Sequence, residues 1–421
     1  MRESWQLFTR EPRARVFFVA LAQSSLGTGA AYVALLLIAY ERWHSPWAIT
    51  LVLLADLVPA MVLGPVFGAA ADRWSRKWCT VLADLIRCGA FLGIALADGI
   101  ELTIVFALLA GTGTAMFTPA ALAALPGLVQ RPRLPAATST YGALADLGFT
   151  AGPGLAAVAL LFVSPEWLSA VNGLTFMVSA LVLARLRFGA APAAADGPRR
   201  SLLREAREGL RATAGMTGIR VILLASAAAL FFAGLFNVAE LPFAEDVLEA
   251  GDVGYSVLVA VFGAGFIAGS LSGSRGGAAP ALKRRYGIGL CVLGLGFMAS
   301  GVAPELATAF AAFALAGFGN GVVLVYERLL VQATVPDHLA GRVFGVKDAL
   351  TAWAFGIAFV VAGGLISLMG VRELLVAAGV GGLVVWLVSA AALRDEFADE
   401  AGGAAERAER PPTEELSGAG A

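Results

Sequence analysis

Long unbroken runs of apolar residues dominate the chain, each closed by a short polar or Gly/Pro-containing break. A membrane-spanning helix needs about 20 mostly apolar residues. Twelve runs meet that length: Phe17–Tyr40, Trp47–Ala71, Cys79–Ala97, Leu102–Leu125, Ser139–Val163, Trp167–Leu186, Ile219–Leu241, Tyr255–Ser274, Tyr286–Ala303, Leu306–Val331, Val343–Met369 and Leu374–Leu393. Strands of a transmembrane barrel alternate apolar and polar over about ten residues, whereas these runs are continuous. The pattern predicts an all-α integral membrane protein with twelve transmembrane helices.

Composition narrows this further. Of 421 residues 58% are hydrophobic and only 14% charged, with 50 glycines besides. A soluble domain carries about 25% charged residues. An ordinary soluble globule, a disordered chain and a nucleic-acid-binding module are therefore excluded. The basic start, Met1 to Arg15, leads into a long apolar run with no small-residue cleavage pattern, so a retained first span is expected rather than a signal peptide. Three cysteines, Cys79, Cys88 and Cys291, sit at or inside apolar runs and imply no disulfide framework. His44 and His338 both fall in loops, so neither a metal site nor a cofactor is expected.

The net charge of −1 hides a strong asymmetry. With the N-terminus in the cytoplasm, twenty-six of the thirty Lys and Arg residues fall on that side. Arg42 and Arg372 are left outside, and Arg87 and Arg328 lie within spans. The positive-inside rule then places both termini in the cytoplasm of a multi-pass protein of the cell membrane. The expected organisation is a six-span half (residues 1–187), a cytoplasmic linker (188–218), a second six-span half (219–394) and a disordered tail (395–421) rich in acids. Within the linker, Ser201–Arg211 alternates Arg and Glu beside Leu202, Leu203 and Leu210; it reads equally as an amphipathic surface helix or a solvated connector.

After the second span stands Gly68-Ala-Ala-Ala-Asp72-Arg73-Trp-Ser-Arg76-Lys77. This resembles the signature loop of the major facilitator superfamily, Gly-x-x-x-Asp-Arg-x-Gly-Arg-Arg, with Ser75 in place of the second glycine. Further matches are Leu82-Ala-Asp84-Leu-Ile-Arg87, Thr118-Pro119-Ala120, Ala170-Val-Asn172-Gly-Leu-Thr-Phe176, Pro242-Phe243-Ala244-Glu245-Asp246, Gln332-Ala-Thr-Val-Pro336-Asp337 and Gly341-Arg342-Val343-Phe344-Gly345. Together they are similar to the branch holding the enterobactin exporter and the macrolide-efflux proteins. In span 5, Gly148-x-x-x-Gly152-Pro153 resembles part of the antiporter motif of drug exporters, whose closing glycine pair is Ala156-Ala157 here.

The resemblance implies two six-helix halves around a central cavity, and a conformational latch of Asp72, Arg73, Arg76, Lys77 and Arg342. It also implies that spans 1, 4, 7 and 10 line the cavity. On those spans Gln23, Tyr32, Met116, Phe117, Phe236, Asn237 and Asn320 are substrate-contact candidates, with plain helix packing as the alternative for each.

A charge at mid-membrane costs about 2.5–3.5 kcal/mol on the insertion scale, so intramembrane charges need a reason. Asp84 and Arg87 are one helical turn apart and read as a neutralising pair. Asp56 and Asp146 have no evident local partner, and proton coupling and an interhelical hydrogen bond are both open for them. Glu240, near the end of span 7, reads as an interfacial acid. Glu327-Arg328 reads as a snorkelling pair.

The function expected is secondary export of a hydrophobic or amphipathic small molecule, such as an antibiotic or siderophore, by a functional monomer in antiport with protons. A nutrient importer of the same fold and a non-transporting sensor or partner protein are the alternatives. No catalytic constellation of His, Cys and Ser is visible to support a membrane enzyme.

Overall fold

The computed structural model of the chain describes residues 8–71, 74–188, 211, 213, 216–275, 279–335 and 337–409. Among the described residues twelve helices are long and apolar enough to cross a membrane. They are α1 (Pro12–Trp43), α2 (Pro46–Ala71), α3 (Arg76–Leu96), α4 (Ile100–Ala124), α5 (Leu134–Ala159) and α6 (Pro165–Arg185) in the first half. The second half holds α7 (Thr217–Pro242), α8 (Gly251–Leu271), α9 (Ala279–Val302), α10 (Leu306–Thr334), α11 (Asp337–Met369) and α12 (Val371–Glu409). Among the described residues there is no strand. Proline opens α1, α2 and α6, where its missing N–H would have had no partner in any case.

The halves repeat one packing scheme. In the first, α1 packs on α5 and α6, α3 on α4 and α6, and α2 on α4. In the second, α7 packs on α11 and α12, α9 on α10 and α12, and α8 on α10. Lipid removes the hydrophobic drive between helices, so close backbone approach through small residues holds these pairs. A Cβ on Gly29 of α1 would collide with the carbonyl of Gly148 on α5, and one on Gly152 would lie 2.5 Å from the backbone of Gly29. Likewise Gly111 of α4 meets the backbone of Asp56 on α2, and Gly317 of α10 meets that of Phe262 on α8. Gly111 and Gly317 stand 206 residues apart, the spacing that also separates Tyr40 from Asp246. That spacing maps one half onto the other.

Arg42 and Arg372, the two basic residues left outside by the charge pattern, have matching structural tasks. Arg42 donates to the Ile94 carbonyl at 3.1 Å, in the last turn of α3. Arg372 donates to the Gly301 and Ala303 carbonyls at 3.1 and 2.6 Å, where α9 ends. Each satisfies carbonyls that a helix end leaves unpaired.

Between the halves, α2 faces α11 and α5 faces α8. These pairs diverge along their length. Toward the end holding the α1–α2 and α7–α8 connections, called here the far end, Thr50 donates to the Phe359 carbonyl at 3.0 Å. Midway, a Cβ on Gly356 would lie 3.8 Å from Leu57, and one on Gly263 would lie 2.9 Å from the Thr150 carbonyl. Toward the end where α6 leaves and α7 enters, the linker end, Gly64, Gly142 and Gly345 meet nothing within 4 Å. Among the described residues the contacts between the halves lie at the far end and midway, so the bundle is closed at the far end and split at the linker end.

Two helices run on past their apolar runs. Helix α12 continues to Glu409, through a segment rich in Ala and Glu but interrupted by Gly402 and Gly403. Span 7 does not stop before Pro242; it runs on through a π-turn at Phe243–Val247. The linker segment Ser201–Arg211 lies, but for its last residue, outside the described residues.

Close approach at Gly148 and open space at Gly64 lead to opposite expectations for the same substitution. Gly148→Ala should lower stability by about 1–3 kcal/mol through overpacking, while Gly64→Ala should stay within about 0.5 kcal/mol or stabilise. Thermal midpoints of the purified variants in mild detergent check this; equal midpoints would contradict the α1–α5 contact.

Candidate functional site

Intramembrane charges fall into three settings. The first is a closed pair in the first half: Arg87 donates to Asp84 within α3, both side chains buried. The Arg87 guanidinium lies between the rings of Phe117 and Phe176, 4.2 Å from each centroid. At the matching positions of α9 stand Leu290 and Leu293, both buried. The same space is thus filled by an ion pair in one half and two leucines in the other.

The second setting is in the second half. Glu327 on α10 is 2% exposed and faces Lys347 of α11 at 3.7 Å. This corrects the snorkelling reading for Glu327: α10 continues to Thr334, so Glu327 lies two turns inside its helix. Arg328 is exposed.

The third setting is a central cavity of about 410 Å³ between the halves, within the ~300–1,000 Å³ of small-molecule sites. Helices α1, α2, α5, α7, α8, α9, α10 and α11 supply its walls. Three carboxyl residues, Asp56, Asp146 and Glu240, line it together with six phenylalanines, Phe236, Phe262, Phe266, Phe297, Phe355 and Phe359. Of the residues singled out from sequence, Tyr32, Asp56, Asp146, Pro153, Phe236, Asn237 and Asn320 are brought together here. Asp56 is within the field of Arg87, and Asp146 within that of Arg328.

Other candidates are placed elsewhere. Gln23 donates to the Thr175 carbonyl of α6 at 2.9 Å, holding α1 against its own half. Met116 and Phe117 are buried in the core of the first half, where Phe117 stacks on Arg87. None of these three lines the cavity. Gly148 and Gly152 serve the α1–α5 contact, leaving Pro153 as the member of that motif facing the cavity. Among the latch candidates Asp72 and Arg73 lie outside the described residues, as does the side chain of Arg342. Arg76 opens α3, and the Lys77 ammonium sits 5.5 Å from the Trp78 ring.

Glu240 is the residue that sequence reading missed. Rather than an exposed interfacial acid, it is 5% exposed and faces the cavity. The π-turn continuation of α7 carries the helix past Pro242 and leaves Glu240 inside it. Phe236, Asn237 and Glu240, at i, i+1 and i+4, share a helix face, a spacing that could have drawn attention to it. Tyr255 of α8 donates to Glu240 Oε1 at 3.1 Å, and Asn237 donates at 3.4 Å. Tyr32 of α1 donates to Asn237 Oδ1 at 2.9 Å. This polar chain crosses from one half to the other at the closed end of the cavity. Beyond it, Tyr40 of α1 donates to Asp246, and the Thr50–Phe359 bond completes the closure. Among the described residues no group of His, Cys, Asp and Glu is arranged to hold a metal ion.

Comparison with known proteins agrees with this geometry. Residues 17–347 match the family model described as Major Facilitator Superfamily. The multidrug efflux pump Tap of Mycolicibacterium fortuitum is 28% identical over 404 residues, covering 90% of this chain and 95% of its own. The solved nucleoside transporter NupG superposes with a TM-score of 0.71 at 12% identity, over 90% of this chain and 99% of its own. A bacterial homologue of the human lysosomal transporter Spinster, solved inward-facing and occupied, gives a TM-score of 0.71 at 15% identity, covering 90% and 96%.

The two leucines on α9 lead to a direct test of the ion pair. Asp84→Leu alone strands the buried Arg87 charge and should cost about 3–5 kcal/mol. Asp84→Leu with Arg87→Leu should recover most of that loss, as the second half does with Leu290 and Leu293. Thermal midpoints of both singles and the double measure the coupling; a double variant no more stable than either single would contradict it.

Proposed function

The chain belongs to the major facilitator superfamily, a family of membrane transporters, and on that premise we propose that it is a secondary exporter of amphipathic small molecules. The observation that carries this reading is the cavity itself: carboxyls and phenylalanines face a space shut at the far end and split at the linker end. Similarity to the efflux pump Tap over nearly the whole of both chains supports export as the direction.

In this reading the linker end faces the cytoplasm, as the basic residues of the linker-end loops favour. The structure then corresponds to a state ready to load cargo from the cytoplasm or the inner leaflet. Export follows when the far end opens and the linker end closes. The loop Asp72–Lys77, with Arg342 in the second turn of α11, acts as the latch at the linker end, and the working unit is the single chain.

Energy comes from protons moving inward. Asp56, Asp146 and Glu240 are the carboxyls facing the path, and each gains or loses a proton as its side of the cavity opens. One proton entering per cargo molecule supplies about 2.3 kcal/mol per 100 mV, enough to sustain roughly a 50-fold gradient. The chain carries no phosphate-binding loop signature for ATP.

Inverted membrane vesicles provide the test. Energised vesicles bearing the protein should accumulate a fluorescent amphipathic dye, and an uncoupler should abolish the accumulation. Asp56→Asn should reduce the uphill rate by about tenfold or more, and Asp72→Asn should slow it without loss of membrane insertion. Accumulation indifferent to the uncoupler would refute proton antiport; absence of accumulation for every dye class would refute export.

A further inference from the structure

Charge in the cavity is one-sided. Asp56, Asp146 and Glu240 face it, and among the described residues no Lys or Arg lines it. The fields of Arg87 and Arg328 reach Asp56 and Asp146 from outside the lining. Glu240 has only neutral neighbours in its hydrogen bonds: Asn237 and Tyr255 both donate to Oε1, so neither occupies Oε2. One turn earlier on α7, Phe236 stacks against Phe297 at 4.4 Å and lies 6.2 Å from Phe262. Aromatic faces carry negative potential and attract cations, most strongly where water is excluded. An organic anion entering this space would instead meet three carboxyls in a low-dielectric wall, with Arg87 and Arg328 acting only from behind two of them and no cation beside Glu240 among the described lining residues.

We propose that the cavity selects amphipathic monocations, the positive group seated against Glu240 and the apolar body among Phe236, Phe262 and Phe297. Catecholate or carboxylate cargo, a siderophore included, is excluded by the same arrangement. This inference rests on reading the cavity as the cargo site, and it narrows the cargo from amphipathic molecules in general to those bearing one positive charge.

Tetraphenylphosphonium and tetraphenylborate have nearly the same shape and opposite charge, which isolates the sign of the charge from size. Equilibrium binding of each radiolabelled ion is measured on the full-length protein in nanodiscs against empty nanodiscs. The cation should bind about tenfold or more tightly than the anion. Glu240→Gln should weaken cation binding by about tenfold, with Glu240→Asp retaining most of it. Equal binding of the two ions by the wild-type protein, or tighter binding of the borate, overturns the proposal, and this comparison does not depend on any variant folding. So does unchanged cation affinity in a monodisperse Glu240→Gln protein. Saturable, charge-selective binding with no uphill movement in vesicles would sink the export reading and leave the selection standing. Uphill movement of both ions alike would do the reverse.

Discussion

Helices α1 and α7 meet at the far end through Tyr32–Asn237 and Tyr40–Asp246, and the cavity exists because that meeting is closed. The repeat spacing gives these bonds a particular meaning. Tyr40 and Asp246 occupy matching positions of the two halves, and a residue bonded to its own repeat mate lies on the axis relating them. Around that axis the α2–α11 and α5–α8 contacts form a matched pair, Leu57 against Gly356 and Thr150 against Gly263. Within a bilayer core, polar groups must find partners inside the protein. Opening the far end therefore gives up this set of bonds, and contacts formed at the linker end have to replace them. In the cycle proposed above, the glycines Gly64, Gly142 and Gly345, whose Cβ positions meet nothing within 4 Å among the described residues, would be where backbone approaches backbone.

The scaffold is shared between the halves, but the charges are not. Asp56 on α2 corresponds to Phe262 on α8, and the Asp84–Arg87 pair corresponds to Leu290 and Leu293. Glu240 on α7 stands where α1 has Ala34. Both members of each helix pair keep the small residues that packing needs, Gly111 with Gly317 and Gly113 with Gly319. Packing alone is thus satisfied without these charges, and local rules are broken where a site has other work. Two of the three broken positions, Asp56 and Glu240, face the cavity; the third is a closed pair buried away from it.

Run length and charge asymmetry made the twelve spans and their grouping legible, because the bilayer imposes both through simple thresholds. Which face of a span points inward was much less so. In α1 and α4 apolar residues surround the helix, since lipid and protein interior are equally greasy, and no polar face marks the inner side. Tyr32 and Asn320 face the cavity, whereas Gln23, Met116 and Phe117 hold the first half together. Glu240 was hidden by Pro242, a residue that ordinarily signals a helix end. The π-turn that carries α7 past it is not written in any local pattern. Glu327 was misread for a similar reason: its partner Lys347 belongs to another helix, and that pairing is visible only once α10 and α11 are packed.

Spin-label distances across the two ends test the central claim most directly. With the native cysteines replaced, one pair of labels at Trp43 and Leu248 reports the far end, and another at Gly68 and Gly345 reports the linker end. As cargo is added and pH lowered on the far side, the first distance should lengthen while the second shortens, with helix pairs inside each half unchanged. Both distances holding constant through a condition that supports transport, or both lengthening together, would contradict a cavity that alternates between its two ends.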